Sequence, residues 1–389
     1  MKVALISQEG GGISSVSNGL AQSLSKKGIS TTLFSGTSEK PKEEKLNEFL
    51  NVIHLPQLDF PPRPMWFQFR NFRLLKKLLK DFTVVHGVSP EASMTIAFYK
   101  RKLRKPFVVS LHAVPLSSLK TFVNTPISCW SLANFGNYVL EYPLHYFQIR
   151  TCLANSDHVV ACSFATLREF KTAFKILRTS KVSVVHNAID LEEIENVESN
   201  PESENGESKL SIVFAGRLFW LKGLTYLLRA FEILRRDFRD LDLKIFGKGP
   251  EEPRIRRFIS NSGLKDSVHL RGRIPHKSLI AEVKKSDIVV VPSLYEAQPM
   301  FALEAMACKK PLVAFDLPFA REIIANGHNG LLAETYDTAD LANKIRTIML
   351  DRKLRFKLGQ NAYKYVKREH NWSTQVEKYI SIYKNVMDT

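Results

Sequence analysis

Short apolar runs rich in valine, isoleucine and phenylalanine alternate with longer amphipathic segments along most of the chain, the rhythm of parallel βαβ units. In the first half the pattern predicts strands at Val3–Ile6, Ser30–Phe34, Val52–Leu55, Thr83–His86, Phe107–Leu111, His158–Ala161 and Val182–Val185. In the second half it predicts Ser211–Ala215, Leu241–Phe246, Val268–Leu270, Ile288–Val291 and Leu312–Phe315. Twelve strands exceed a comfortable single open sheet, so the expectation is an α/β chain with two Rossmann-like sheets.

After Phe315 the periodicity becomes helical, with segments at Thr338–Leu350, Arg352–Arg368 and Ser373–Met387. The last carries Val376, Tyr379, Ile380 and Tyr383 at i, i+3, i+4 and i+7, behind Trp372. Such a stripe needs a partner surface, on its own domain or on the first. Between the two sets of strands, residues 191–209 hold seven glutamates and no sustained apolar period, which reads as a solvated linker. The predicted organisation is therefore a first domain over 1–190, an acidic linker over 191–209, a second domain over 210–370, and a terminal helix over 371–389 able to cross back.

Composition narrows the class. At 389 residues, with 44% hydrophobic residues and only 36 glycines and prolines together, the chain can bury large cores and is neither disordered nor collagen-like. Cys129, Cys152, Cys162 and Cys308 stand too far apart for C-x-x-C chemistry, and they read as small buried hydrophobes of a reduced compartment. The first apolar run is too short for a secretory leader and no stretch of 18 apolar residues occurs, so a cytoplasmic protein is expected. The net charge of +17 is uneven: residues 60–140 carry twelve basic and two acidic groups. That field would favour an anionic surface or substrate.

Three segments can carry chemistry. Gly10-Gly11-Gly12 follows the first strand and opens a helix, an arrangement that admits a phosphate to bare backbone N–H groups, although Ser15 occupies the place of the third glycine of a dinucleotide fingerprint. G-R-L-F-W-L-K-G, residues 216–223, follows the strand ending at Ala215 and puts Arg217 and Lys222 at the carboxyl edge, where open α/β sheets bind ligands. Two cations there suit an anionic group such as phosphate, or else are surface charges. The third is the block 289–307, with Glu296 in the loop after a strand and Glu304 inside the next helix, predicted to begin near Pro299. A glutamate in so apolar a helix calls for a hydrogen-bonding partner, a ribose diol being one choice. His112 also ends a strand, as either a ligand group or a satisfied structural one. No H-E-x-x-H, D-x-D or His/Cys cluster suggests a metal.

These motifs, together with H-N-A-I-D at 186–190 and the tryptophan-led terminal helix, make the chain resemble the retaining glycosyltransferases of family 4, also called glycosyl transferases group 1. The resemblance spans nearly the whole chain. It implies the GT-B fold, two Rossmann-like domains facing across a cleft, and transfer of a sugar from a UDP- or GDP-linked donor to a glycan or lipid-linked acceptor. It implies that Arg217 and Lys222 hold the donor diphosphate and stabilise it as it leaves, that Glu304 binds the ribose, and that Glu296 lies beside the transferred sugar. His112 would touch that sugar from the first domain, Gly12 would approach the phosphate or acceptor, Arg271–Ile274, with Arg273, would border the base, and Met300 and Phe301 would lie in the helix turn facing the donor. No tightly bound cofactor and no essential divalent metal is implied. Two positions depart from the family pattern: Gln298 and Pro299 replace an aromatic residue and a glycine, and Pro318 and Phe319 replace paired glycines. Pro299 has no N–H to offer a donor.

The segment Trp66–Lys80 predicts an amphipathic helix with Phe72, Leu75 and Leu79 on one side and basic groups on the other. With Arg101–Lys105 it is a candidate for contact with an anionic membrane, either by insertion of that apolar side or by charge alone, unless it is simply a packed helix. The protein is then cytoplasmic, free or peripheral on the inner face of the cell membrane. Competing readings are a sugar phosphorylase or nucleotide-sugar epimerase of related fold, and a basic nucleic-acid-binding protein. The last is disfavoured because the candidate site lies in the less basic half, and the sequence sets no oligomeric state.

Overall fold

The computed structural model describes all residues except 8–10, 38–39, 59–62, 113–131, 176–180, 199–208 and 389. The chain divides into two compact units, one formed mainly by residues 1–122, 130–189 and 372–389 and the other mainly by 190–371. Cys129 lies outside the described residues, while Cys152, Cys162 and Cys308 are buried.

In the first unit β1 (Lys2–Ile6), β2 (Ser30–Thr37), β3 (Lys42–Lys45), β4 (Leu50–Pro56), β5 (Val84–Gly87), β6 (Phe107–Leu111), β7 (His158–Ala161) and β8 (Val182–Val184) form one sheet in the order β3-β4-β2-β1-β5-β6-β7-β8. Only β3 runs antiparallel to its neighbour. Its sequence, KEEK, has no apolar period for a pattern to detect, and its charges suit the edge of a sheet, where an apolar strand would invite further pairing. Helices α1 (Gly11–Lys26), α2 (Arg63–Leu78), α3 (Met94–Leu103), α4 (Leu132–Asn155) and α5 (Phe164–Ala173) link the parallel strands.

The second unit begins with α6 (Leu191–Glu195), capped by the Asp190 carboxylate, which accepts from the Glu193 N–H at 3.1 Å. The start of the acidic segment is thus helical, with Leu191 and Ile194 buried. The strands β9 (Leu210–Ala215), β10 (Leu241–Phe246), β11 (Val268–Gly272), β12 (Ile288–Val291), β13 (Leu312–Phe315) and β14 (Leu331–Ala333) are all parallel, in the order β11-β10-β9-β12-β13-β14. The region after Phe315 is therefore not wholly helical. Strand β14 is three residues long, too short for a period of two to stand out. Around this sheet lie α7 (Leu224–Asp237), α8 (Glu252–Asn261), α9 (His276–Lys285), α10 (Met300–Ala307), α11 (Pro318–Ile323), α12 (Thr338–Leu350) and α13 (Arg352–Glu369). The residues of β12 and β13 are buried throughout, as expected of strands covered on both faces.

Helix α14 (Trp372–Met387) packs in the first unit, against α1. Gly19 lets the Trp372 indole lie on α1: a Cβ there would sit 2.2 Å from Nε1. The stripe ends in a buried polar chain, with Tyr383 Oη 2.7 Å from His86 Nδ1 and Ser110 Oγ 2.8 Å from His86 Nε2. Burial drives the His86 pKa from 6.5 down to about 3, so the ring is neutral.

The α2 segment forms the predicted helix, but its apolar side is not available for insertion. Leu75 and Leu79 belong to the first unit's core and Phe72 packs edge-on against Tyr99, with ring centroids 4.3 Å apart. Hydrophobic periodicity identifies a buried face without saying what buries it.

Candidate active site

The carboxyl ends of β9 and β12 carry the charged groups of the second unit. After β9 the chain makes a loop and one 3-10 turn, Trp220–Lys222, before α7. Gly223 joins them with φ of 63°, and a Cβ there would fall 1.8 Å from the Pro292 carbonyl oxygen. Only glycine meets both conditions. The same close approach lets the Leu294 N–H donate to the Leu221 carbonyl at 2.7 Å, which fastens the loop after β12 to the loop after β9. Lys222 and Glu296 are thereby brought together as a hydrogen-bonded ion pair. The Ser293 hydroxyl donates to the same Glu296 oxygen at 2.9 Å. Both charged side chains are only partly exposed, 28% for Lys222 and 15% for Glu296, so the pair borders solvent and stays open to a ligand.

Arg217 stands on the same loop, exposed, its guanidinium 5.5 Å from the centre of the Phe219 ring. The loop is also stitched to the segment after β10: the Leu218 N–H donates to the Lys248 carbonyl and the Glu251 N–H to the Leu218 carbonyl, each at 3.0 Å. Sequence reasoning missed this segment, Gly247-Lys248-Gly249, although a G-x-G directly after a strand was its available signal.

Helix α10 starts at Met300 with Pro299 as its N-cap residue, one position later than the predicted start. No side chain caps it, and the first N–H groups, including those of Met300 and Phe301, have no acceptor within the helix. Glu304 lies one turn in. The partner its apolar helix requires is His276, at the start of α9, whose Nε2 is 3.1 Å from Glu304 Oε1. The hydrogen bond to Glu304 raises the His276 pKa; burial opposes this, and the charges of Glu304 and Glu193 reinforce it. His276 was not anticipated, because a histidine one residue after a proline at a helix start has no motif to mark it. Arg273 is exposed just beyond the end of β11.

Gly12 and His112 lie in the first unit. Gly12 is exposed in the first turn of α1. His112 follows β6, and its Nε2 is buried without a hydrogen-bond partner among the described residues. Burial lowers its pKa to about 4, against a backbone hydrogen bond to Val88 that favours the protonated ring. A cavity of about 360 Å3 opens elsewhere, lined by Asp316, Arg321, Asn326, Glu334 and Thr335 among others. Its one cation, Arg321, is paired with Asp316 at 2.5 and 2.8 Å. Among the described residues no group of three His, Cys, Asp or Glu side chains is placed to hold a metal ion.

Residues 196–365 match the family described as glycosyl transferases group 1, and residues 10–193 match glycosyltransferase family 4. An uncharacterized glycosyltransferase of Methanocaldococcus jannaschii is 24% identical over 366 residues, 90% of this chain and 89% of that protein. The chain is a glycosyltransferase of the GT-B fold, related to both families. Sucrose-phosphate synthase from Thermosynechococcus elongatus superposes on the transferase with a TM-score of 0.80 at 19% identity, over 100% of this chain and 99% of that one. Anabaena HepE, solved with UDP and glucose, gives 0.76 at 16% identity, over 99% and 100%. The transferase thus brings Lys222, Glu296 and Arg217 to one edge of the second sheet. Glu304 is held by His276, and of the two first-unit candidates His112 follows the end of β6 while Gly12 lies in the first turn of α1.

Proposed function

We propose that the enzyme transfers a sugar, with retention of anomeric configuration, from a UDP- or GDP-sugar to a glycan or lipid-linked acceptor. It works in the cytoplasm, at the cytoplasmic face of the membrane where the acceptor is lipid-linked. The observation that carries this reading is the Lys222–Glu296 pair at the carboxyl edge of β9 and β12, with Arg217 on the same loop. In this account Arg217 and Lys222 bind the diphosphate and offset the charge that grows as the bond from the anomeric carbon to the diphosphate oxygen breaks. The acceptor hydroxyl adds to the anomeric carbon on the same face, and its proton passes to the departing phosphate oxygen. Glu296, Met300 and Phe301 border the sugar and phosphates, Glu304 accepts from the ribose hydroxyls, and Arg273 borders the base. The His112 Nε2 accepts from a sugar hydroxyl, and Gly12 leaves room for phosphate or acceptor.

Two cations and the open N–H groups of α10 can supply the charge compensation that a divalent ion gives elsewhere, so the reaction is proposed to need no metal. HepE, solved with UDP and glucose, supports a nucleotide-sugar of this kind. The test is product detection by mass spectrometry from separate UDP- and GDP-sugars, with hydrolysis as the readout where the acceptor is missing. Release of a nucleoside diphosphate from one donor, strongly reduced in Lys222→Ala, supports the assignment, and donor turnover that is indifferent to Lys222 refutes it.

A further inference from the structure

Helices α2, α3 and α4 lie side by side over the first sheet, and their inner faces are fully committed to its core: Phe67, Leu75, Ile96, Leu103, Ile149 and Leu153 are all buried. Their outer faces are unusual. Phe69 on α2 is 61% exposed, Phe98 on α3 55% and Phe147 on α4 51%. Phe98 and Phe147 are in contact across the α3–α4 boundary, with centroids 6.2 Å apart. Tyr99 bridges α2 and α3, with Phe72 against its edge and the ammonium groups of Lys76 and Lys102 at 5.5 and 5.7 Å from its centre.

The same stretch of chain, α2 and α3 with the C-cap of α3, carries Arg70, Arg73, Lys77, Arg101 and Arg104, all exposed. Lys100 is neutralised by Asp157 at 2.5 Å, whereas these five have no ion-pair partner among the described residues. From residue 63 to residue 105 the chain has eleven basic residues and only Asp81 and Glu91 as acids. Exposed aromatic rings on three neighbouring helices, set among unpaired cations, are a poor surface for solvent alone.

We infer that this face of the first unit docks on an anionic lipid surface, with Phe69, Phe98 and Phe147 entering the headgroup and acyl boundary while the arginines and lysines meet lipid phosphates. The residues that insert are thus the outward phenylalanines, and the predicted stripe of Phe72, Leu75 and Leu79 holds the helix to the protein instead. The combination decides the partner. Unpaired basic groups attract any polyanion and single rings can stack on bases, but Phe98 and Phe147 lie against each other as one apolar patch and not as separate stacking platforms, and a bilayer offers charge and an apolar phase within about 5–10 Å of depth. Attraction by charge fades with salt, while the inserted rings hold on.

The inference names the surface through which the proposed enzyme reaches a lipid-linked acceptor. Its test needs no nucleotide-sugar, so its failure would leave the donor reading standing. Purified full-length protein is sedimented with vesicles of phosphatidylcholine alone or mixed with phosphatidylglycerol, at low and high ionic strength. The expected result is selective binding to the mixed vesicles, with part retained at high salt. Phe69→Ser/Phe98→Ser/Phe147→Ser should lose about tenfold or more of the retained part. Arg73→Glu/Lys77→Glu/Arg101→Glu should remove the preference for the mixed vesicles at low salt. These residues are exposed, and circular dichroism of each variant verifies its fold. Equal, negligible binding to both vesicle types at low salt would overturn the inference. So would binding that the serine substitutions leave intact and a single-stranded oligonucleotide displaces, which would make the face a nucleic-acid surface.

Discussion

Lys222 and Gly223 are neighbours with opposite duties. Lys222 is partly exposed in a pair that contributes about 1 kcal/mol or less to stability, yet on the proposed chemistry it faces the charge that forms on the leaving diphosphate. Lys222→Ala should therefore lower turnover by about 10²- to 10³-fold while leaving the melting temperature nearly unchanged. A folded, fully active Lys222→Ala enzyme would remove Lys222 from the mechanism. Gly223→Ala is expected to do the reverse. The added Cβ meets the Pro292 carbonyl at a positive φ, so the loop must shift or strain, at about 1–3 kcal/mol. Thermal unfolding separates the two: the midpoint should fall for Gly223→Ala and hold for Lys222→Ala. As candidates, Arg217, Lys222 and Glu296 stood out in the sequence because they follow strand ends, and Glu304 because it interrupts an apolar helix. His276 was not, since its tie to Glu304 joins residues 28 positions apart and exists only once α9 and α10 are neighbours.

At the level of elements, parallel strands buried on both faces wrote themselves into the sequence as continuous apolar runs. Phe107–Leu111, Ile288–Val291 and Leu312–Phe315 are buried throughout and have the predicted bounds. Strand β3 was invisible because an edge strand of charges obeys pairing and not burial. The terminal helix was legible as a stripe without a destination. Its destination includes a buried histidine, a group that periodicity does not register. Tyr383→Phe would leave His86 Nδ1 without its partner and should cost about 1–3 kcal/mol, read as a lower denaturation midpoint.

The burial of His86 gives the fold an acid limit. His86 is held neutral, its pKa lowered from 6.5 to about 3, so the unfolded chain binds this proton more readily than the folded one. The stability of the neutral site is fully present above pH about 6.5 and is lost progressively as pH falls toward about 3. His86→Gln should flatten the fall in melting temperature over that window. An unchanged pH profile would show that other groups govern acid unfolding.

Across the whole molecule the charge is divided unequally, with +12 in residues 1–190 and +5 in residues 191–389. The diphosphate-binding pair proposed here lies in the less basic part, where local geometry supplies what net charge does not. Among the described residues no helix is long and apolar enough to cross a membrane. On this account transfer should survive exhaustive chelation with EDTA, because Arg217, Lys222 and the amino end of α10 serve the leaving group. Loss of activity that only a stoichiometric metal restores would contradict that.

The most direct test of the central claim is to offer the purified chain a panel of UDP- and GDP-sugars and to follow nucleoside diphosphate release and the anomeric configuration of the product by NMR. The account predicts turnover of a donor with the configuration retained, and loss of that turnover in Lys222→Ala. Turnover with inversion, or no turnover of any nucleotide-sugar in the presence of glycan and lipid-linked acceptors, would contradict it.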